Sequence, residues 1–194
     1  WYSITLDVLG AAFVVGLGAM MARRWWVRPA ALDYSRPDRD PQSYDRAPYV
    51  ADDRLFLWLL FWIGVTGFLV EGLRIAADRP PFEAWSVVGW QLANLFDLTG
   101  VTPLANPLHL AGWWVHALLA LGFVAYIPYS KAIHMVVDMA NLLFTDERAG
   151  KRLPAVPEGA GAQGYETLAD FTWKELLDLD ACTKCGRCHV ACPA

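Results

Sequence analysis

Cysteine is absent from the first 181 residues; all four lie in the last 13, at Cys182, Cys185, Cys188 and Cys192. Disulfide frameworks spread their cysteines through the fold, so this clustering excludes one here and points to a cofactor site. Histidine is absent from the first 108 residues and occurs only four times. The net charge of −4 gives no reason to expect a nucleic-acid partner. Charge is also missing locally. From Leu110 to Tyr129 there is no Asp, Glu, Lys or Arg in 20 residues, about the length needed to cross a bilayer core of roughly 30 Å.

What is present is apolar. The 194 residues are 56% hydrophobic and 13% aromatic, with ten tryptophans, more than an ordinary soluble domain carries. A first span runs from about Ile4 to Ala22, with Gly10, Gly16 and Gly18 available for close helix contact. Asp7 near its start reads as an interfacial or partner-facing group. The span ends in Arg23-Arg24-Trp25-Trp26-Val27-Arg28, a basic and aromatic border that the positive-inside rule puts in the cytoplasm. Residues 29–53, rich in Pro, Asp and Arg, read as a cytoplasmic loop. A second span begins near Leu55 and travels outward. Glu71 and Arg74 lie near its far end, three residues apart and so able to pair as helix neighbours. Their alternative role is proton carriage or propionate binding beside a quinone, because ionisable groups at that depth are costly. Residues 78–106, with Trp85 and Trp90, suggest a short helix lying in the outer interface. The third span then travels inward, with Trp113 and Trp114 as belt residues near its start.

The third span is part of the stretch that organises the chain, Pro107 to Phe144. Its only strongly polar side chain within the charge-free part is His116, and His134 follows 18 residues later, just past Lys131. Eighteen residues of continuous helix make five turns, which would put both imidazoles on one face, roughly 27 Å apart along the axis. A pair of stacked b haems would require that arrangement. A membrane histidine can equally hydrogen-bond a neighbouring helix, and a kink at Pro128 would undo the alignment. His109, at the helix start, reads as an interfacial residue.

Residues 149–165 form a Gly/Ala/Pro linker. Thr167 to Asp180 follows as a short amphipathic helix, with Phe171, Trp173, Leu176, Leu177 and Leu179 as its apolar residues. It leads to Cys182-Thr-Lys-Cys185-Gly-Arg-Cys188-His-Val-Ala-Cys192-Pro193, the C-x2-C-x2-C-x3-C-P pattern of a [4Fe–4S] site. Three thiolates two residues apart can wrap one corner of a cubane, and Gly186 lets the backbone turn tightly. Zinc sites instead favour paired C-x2-C knuckles with a longer gap. In two-cluster proteins the fourth cysteine of such a run ligates the other cluster, so Cys192 is expected either to close this cluster or to serve a second one. His189 reads as a surface residue or a neighbour of the ligands.

The segments WWVHALLALGF and YIPYSKAIHM resemble the last membrane helix of the respiratory nitrate reductase gamma-subunit family, to which the membrane subunit of heterodisulfide reductase is similar. The segment TWKELLDLDACTKCGRCHVACPA resembles the start of heterodisulfide-reductase-type iron–sulfur subunits. Together they resemble the fused iron–sulfur reductases, which include the electron-transfer-flavoprotein:menaquinone oxidoreductase type. The resemblance implies that His116 and His134 each give one axial ligand to one of two b haems. It implies five membrane helices, of which the three spans here match the last three. The partner histidines belong on an earlier helix, and neither of the first two spans holds a histidine. Two further N-terminal helices are therefore expected; without them His116 and His134 lose their ligand reading, or Met20 or Met21 would have to substitute. A chain that starts at Trp1 without a Met, and stops two residues after a cysteine, is likewise expected to continue at both ends.

The expected fold is all-α: a polytopic transmembrane bundle, then a cytoplasmic ferredoxin-like [4Fe–4S] domain. The expected divisions are a haem b domain over 1–148, a linker over 149–166 and the start of the iron–sulfur domain over 167–194. The expected function is electron transfer in a bacterial cytoplasmic membrane, between a soluble donor such as an electron transfer flavoprotein, [4Fe–4S] clusters, b haems and menaquinone. Glu71 and Lys131 are the candidates for carrying the protons of quinone chemistry. The alternatives are a relay subunit without a substrate site of its own, a quinol-dependent disulfide reductase running in reverse, and a haem-free anchor for a ferredoxin-like domain.

Overall fold

In the computed structural model, residues 1–29, 47–145 and 167–183 are described. Those residues are helical throughout their regular structure, and no strand occurs among them. Helix α1 spans Tyr2–Ala22, α2 Ala47–Asp78, α3 Val87–Leu98, α4 Ala105–Tyr126, α5 His134–Leu143 and α6 Trp173–Asp180. Three segments are long and apolar enough to cross a membrane: Tyr2–Val27, Val50–Asp78 and Thr102–Tyr129. Leu118, Leu121 and Val124 of α4 stand exposed, as suits a helix whose surroundings are lipid rather than water. The chain divides into two units, Trp1–Tyr126 and Ile127–Ala194.

In the first unit α1 and α4 both run antiparallel to α2. Along α1, Gly10 lies against Phe68, and Val14 and Phe13 lie against Gly64. Lower down, Leu17, Met21 and Leu57 form a buried cluster with Trp25 and Phe61 packed on it. Along α4, Gly112 meets Val70, His116 meets Gly67, and Phe123 meets Phe56. At Gly64 a Cβ would stand 2.7 Å from Val14 Cγ2 of α1. Of the three glycines in α1, Gly10 is in tight contact, Gly18 is at ordinary contact distance and Gly16 faces open space.

The loop expected over 29–53 ends earlier than its composition suggested. Helix α2 starts at Ala47, and Asp52 and Asp53 lie within it. Adjacent helical residues point about 100° apart, so the two acids reach different neighbours. Asp53 pairs with Arg24 at the end of α1 at 2.6 Å, and Asp52 accepts a hydrogen bond from the Tyr126 hydroxyl at the end of α4. Both contacts neutralise polar groups at one end of the bundle.

At the other end α2 stops at Asp78 because Arg79 turns left-handed (φ 44°) before Pro80, a proline that also disfavours helix in the residue before it. Arg79 then docks on α3: it donates to Asn94 Oδ1 at 2.7 Å, pairs with Asp97, and lies over the Trp90 ring at 5.0 Å. With 12 residues, about 18 Å of helix, α3 is too short to span a bilayer, as expected of an interfacial helix. Leu73, Ile75, Ala76, Ala93 and Ala105 form the buried core beneath it.

The second unit begins with an interruption. The charge-free helix ends at Tyr126, Ile127–Tyr129 tightens to a 3-10 turn, and Ser130 is extended (φ −114°, ψ 172°). Pro128 lacks an N–H and its ring opposes the carbonyl four residues back, so the α-helix cannot continue through it. Ser130 restarts the helical course by accepting the Ala132 N–H on Oγ at 3.1 Å. The five-turn arithmetic linking His116 to His134 therefore does not hold, because those residues are not on one continuous helix. Helix α6 is set by a capping box, in which the Thr172 hydroxyl accepts the Glu175 N–H and Glu175 accepts the Thr172 N–H at 2.8 Å. It is tied to α5 by the Lys174 ammonium, which donates to Asn141 Oδ1 at 2.6 Å and Asp178 Oδ1 at 2.5 Å, and by Trp173 set edge-on to Phe144. The apolar residues expected along Thr167–Asp180 are only partly used, with Leu177 half-buried and Trp173 exposed.

Candidate redox and proton sites

His116 lies at the middle of α4, half-buried against α2. Its Nδ1 is 3.0 Å from Thr66 Oγ1, and a Cβ on Gly67 would stand 3.4 Å from its Cε1. Nε2 makes no hydrogen bond with the described residues. A neutral imidazole with one nitrogen bonded and the other open is the donor that haem iron takes, so this residue fits an axial ligand. No second histidine stands across from it among the described residues. Met21 is no substitute at His116: it packs on Leu57, nine residues and about 13 Å along α2 from Thr66, and Met20 is exposed at the same end. His134, in the second unit, is half-buried and its Nδ1 is bonded to the Lys131 carbonyl, which likewise leaves Nε2 open. His109 is half-buried in the first turn of α4.

Glu71 does not find the partner expected of it. Arg74 reaches away to Glu83 Oε1 at 2.5 Å, in the 3-10 turn Pro81–Trp85 that precedes α3. The Ser86 hydroxyl donates to Glu83 Oε2 at 2.8 Å, so both oxygens of this buried carboxylate are used. Glu71 instead lies half-buried against the backbone of α3, where a Cβ on Gly89 would stand 2.8 Å from its Cδ. Only glycine leaves that space.

Asp7 faces a partner within the bundle, the short helix α3. It is 3% exposed and caps α3 from another helix: Oδ2 accepts the Val88 N–H at 2.8 Å and Oδ1 the Gly89 N–H at 3.3 Å. Ser86, the residue at the cap position, spends its hydroxyl on Glu83, so the first turn of α3 takes its acceptor from α1. Asp7, Glu71 and Glu83 are thus gathered at the N-terminal end of α3, where the helix dipole favours negative charge. Sequence reasoning named Asp7 and Glu71 but missed Glu83, Ser86 and Gly89. The one available signal was the Ser-x-x-Gly step into an apolar helix, which names no distant partner.

Cys182 is exposed just past the end of α6. Cys185, Cys188, Cys192 and His189 lie outside the described residues. Residues 173–194 match the family of 4Fe-4S binding domains. Over 203 aligned positions, covering all of this chain and 26% of the relative, it is 33% identical to the EtfAB:quinone oxidoreductase of Syntrophomonas wolfei. A probable iron-sulfur-binding oxidoreductase, FadF, of Bacillus subtilis is 40% identical over 70% of this chain and 20% of its own length. A probable membrane-anchored ferredoxin of Chromohalobacter salexigens is 30% identical over 56% of this chain and 14% of its own. No solved structure gives a significant match. The chain is therefore a homologue of iron–sulfur oxidoreductases, and it spans about a quarter or less of the length of these curated relatives. Three apolar helices followed by 4Fe-4S-binding sequence are its architecture.

Proposed function

We propose that this chain is the membrane part, with the start of the iron–sulfur part, of an enzyme that moves electrons between a soluble donor and membrane quinone. The single observation that carries the reading is the open Nε2 of a half-buried histidine at mid-span, on a chain whose sequence after the third span binds a [4Fe–4S] cluster. Bound haem and clusters would supply one-electron transfer. His116 and His134 are the haem b ligands contributed by this chain, each presenting Nε2. Cys182, Cys185 and Cys188 hold one cluster, and Cys192 closes it or serves a second. The name of the Syntrophomonas relative supports an electron transfer flavoprotein as donor and quinone as acceptor. The basic border Arg23–Arg28 supports placing the iron–sulfur segment on the cytoplasmic side of a bacterial membrane, with 1–148, 149–166 and 167–194 as haem domain, linker and cluster domain.

Within the bundle, Glu71 is the stronger candidate for carrying quinone protons. It stands one helical turn beyond Gly67, against which His116 rests, and Arg74 has another carboxylate to neutralise it. Lys131 remains a weaker candidate. The ferredoxin relative favours a second reading, in which the chain relays electrons or anchors a cluster without a quinone step of its own. A reduced-minus-oxidised spectrum of the full-length membrane protein, with haem extraction, separates the haem-bearing readings from the haem-free anchor. Two b haems per chain are expected, and loss of one on each of His116→Ala and His134→Ala. No b-type Soret band would refute the haem wire and leave the anchor reading.

A further inference from the structure

We propose that Thr66 positions His116: its hydroxyl oxygen accepts the Nδ1 proton and so presents Nε2 as the ligating nitrogen. The inference rests on the haem reading above and deepens it. Thr66 Oγ1 has one proton and three neighbours. Trp62 O is at 2.6 Å, Ile63 O at 3.2 Å and His116 Nδ1 at 3.0 Å. The carbonyls can only accept. Two oxygens 2.6 Å apart need a proton between them, so the hydroxyl proton is committed to Trp62 O. The lone pairs of Oγ1 remain, and Nδ1 must then be the donor. In a neutral imidazole this fixes the tautomer and leaves Nε2 as a bare lone pair.

The holding group is rigid for two reasons. Threonine is stiff about its first side-chain torsion, and the bond back to the carbonyl of the preceding turn fixes the rotamer. The ring also rests against α2 at Gly67, where even a methyl group would stand 3.4 Å from Cε1. A ligand imidazole whose other nitrogen donates to an oxygen is a stronger base toward its metal, and it cannot rotate away.

The test compares Thr66→Val, which keeps the shape and deletes the oxygen, with Thr66→Ser, which keeps the oxygen, in the full-length protein. In haem-loaded membranes, the potential of the haem assigned to His116 is expected to rise in Thr66→Val, because a weaker donor stabilises ferric iron less. Its low-spin EPR signal is expected to move as well, and Thr66→Ser is expected to restore both. A wild-type potential and signal in Thr66→Val overturns the proposal. In haem-depleted membranes, ¹⁵N NMR of labelled histidine reads the tautomer directly. The wild type and Thr66→Ser should show His116 protonated at Nδ1, and Thr66→Val should lose that preference. A wild-type His116 protonated at Nε2 overturns the proposal even if haem is present. A haem-free wild type with the Nδ1 tautomer overturns the haem reading while the Thr66 contact stands.

Discussion

Removing the Asp7 carboxylate should unseat the first turn of α3. Asp7→Ala leaves the Val88 and Gly89 N–H groups, 2.8 and 3.3 Å from their acceptors, without partners in a site where Asp7 itself is 3% exposed. A hydrogen bond to a charged group contributes about 1.5–3 kcal/mol, and truncating a capping side chain costs about 0.5–2 kcal/mol. The longer bond to Gly89 is the weaker of the two. Relief of repulsion with Glu71 offsets part of the loss. The net expectation is about 2 kcal/mol for Asp7→Ala. Asp7→Asn keeps an oxygen acceptor and loses only the charge, so about 1 kcal/mol is expected. The assay is reversible unfolding in mixed micelles, followed by tryptophan fluorescence, with Leu6→Ala as the control at the exposed neighbouring position. An Asp7→Ala midpoint indistinguishable from that control would refute the cross-helix cap.

The glycines separate by what they face. Gly72→Ala would bring a Cβ 2.7 Å from Leu92 Cβ, which cannot swing away, and should cost about 1–3 kcal/mol in the same assay. Gly16→Ala faces open space and should stabilise α1 by up to about 1 kcal/mol. Tyr126→Phe deletes the hydrogen bond to Asp52 and should lower the melting midpoint in detergent, at a cost of about 1 kcal/mol. The Lys174 hydrogen bond holds the Asp178 carboxyl below the ordinary carboxylate range. A carboxylate depressed in the folded state adds stability above its unfolded value, near 3.9, and loses it as pH falls through its folded value. Amide exchange in α6, corrected for intrinsic rates, should therefore quicken below about pH 4 in the wild type and show no such step in Asp178→Asn. Cys188→Ala should remove the reduced EPR signal of one [4Fe–4S] cluster in the full-length protein; an unchanged signal would remove Cys188 from the ligand set.

What could be read from the sequence was what repeats locally or is spelled out in a motif. The three spans follow from runs of apolar residues and the cluster segment from cysteine spacing; Pro128 signalled a kink, where the structure has a full break over 127–130. Helix α2 began earlier than read because the Pro, Asp and Arg content of 47–54 suits a loop, while Asp52 and Asp53 are used by α4 and α1 as helical residues. The partners of charged groups were the part that could not be read. Glu71 and Arg74 are three residues apart on one helix, the spacing that predicts a pair, yet Arg74 faces Glu83 and Glu71 faces Gly89. Their partners lie outside α2, and local periodicity holds no record of which surface of a helix another element will cover.

By itself, then, the sequence determined that this is an all-helical chain with three membrane-length spans and a cluster-binding end. Hydrophobic length and ligand spacing act within a few turns of the chain and leave a direct trace there. Only the tertiary structure decided that Asp7 would cap α3 from 81 residues away, that Thr66 would take the Nδ1 of a histidine 50 residues on, and that three carboxylates would share one helix end. Those contacts depend on which helix faces are brought together and at what register. Packing fixes that through shape, at Gly64, Gly67 and Gly89, where the missing side chain lets a neighbour approach.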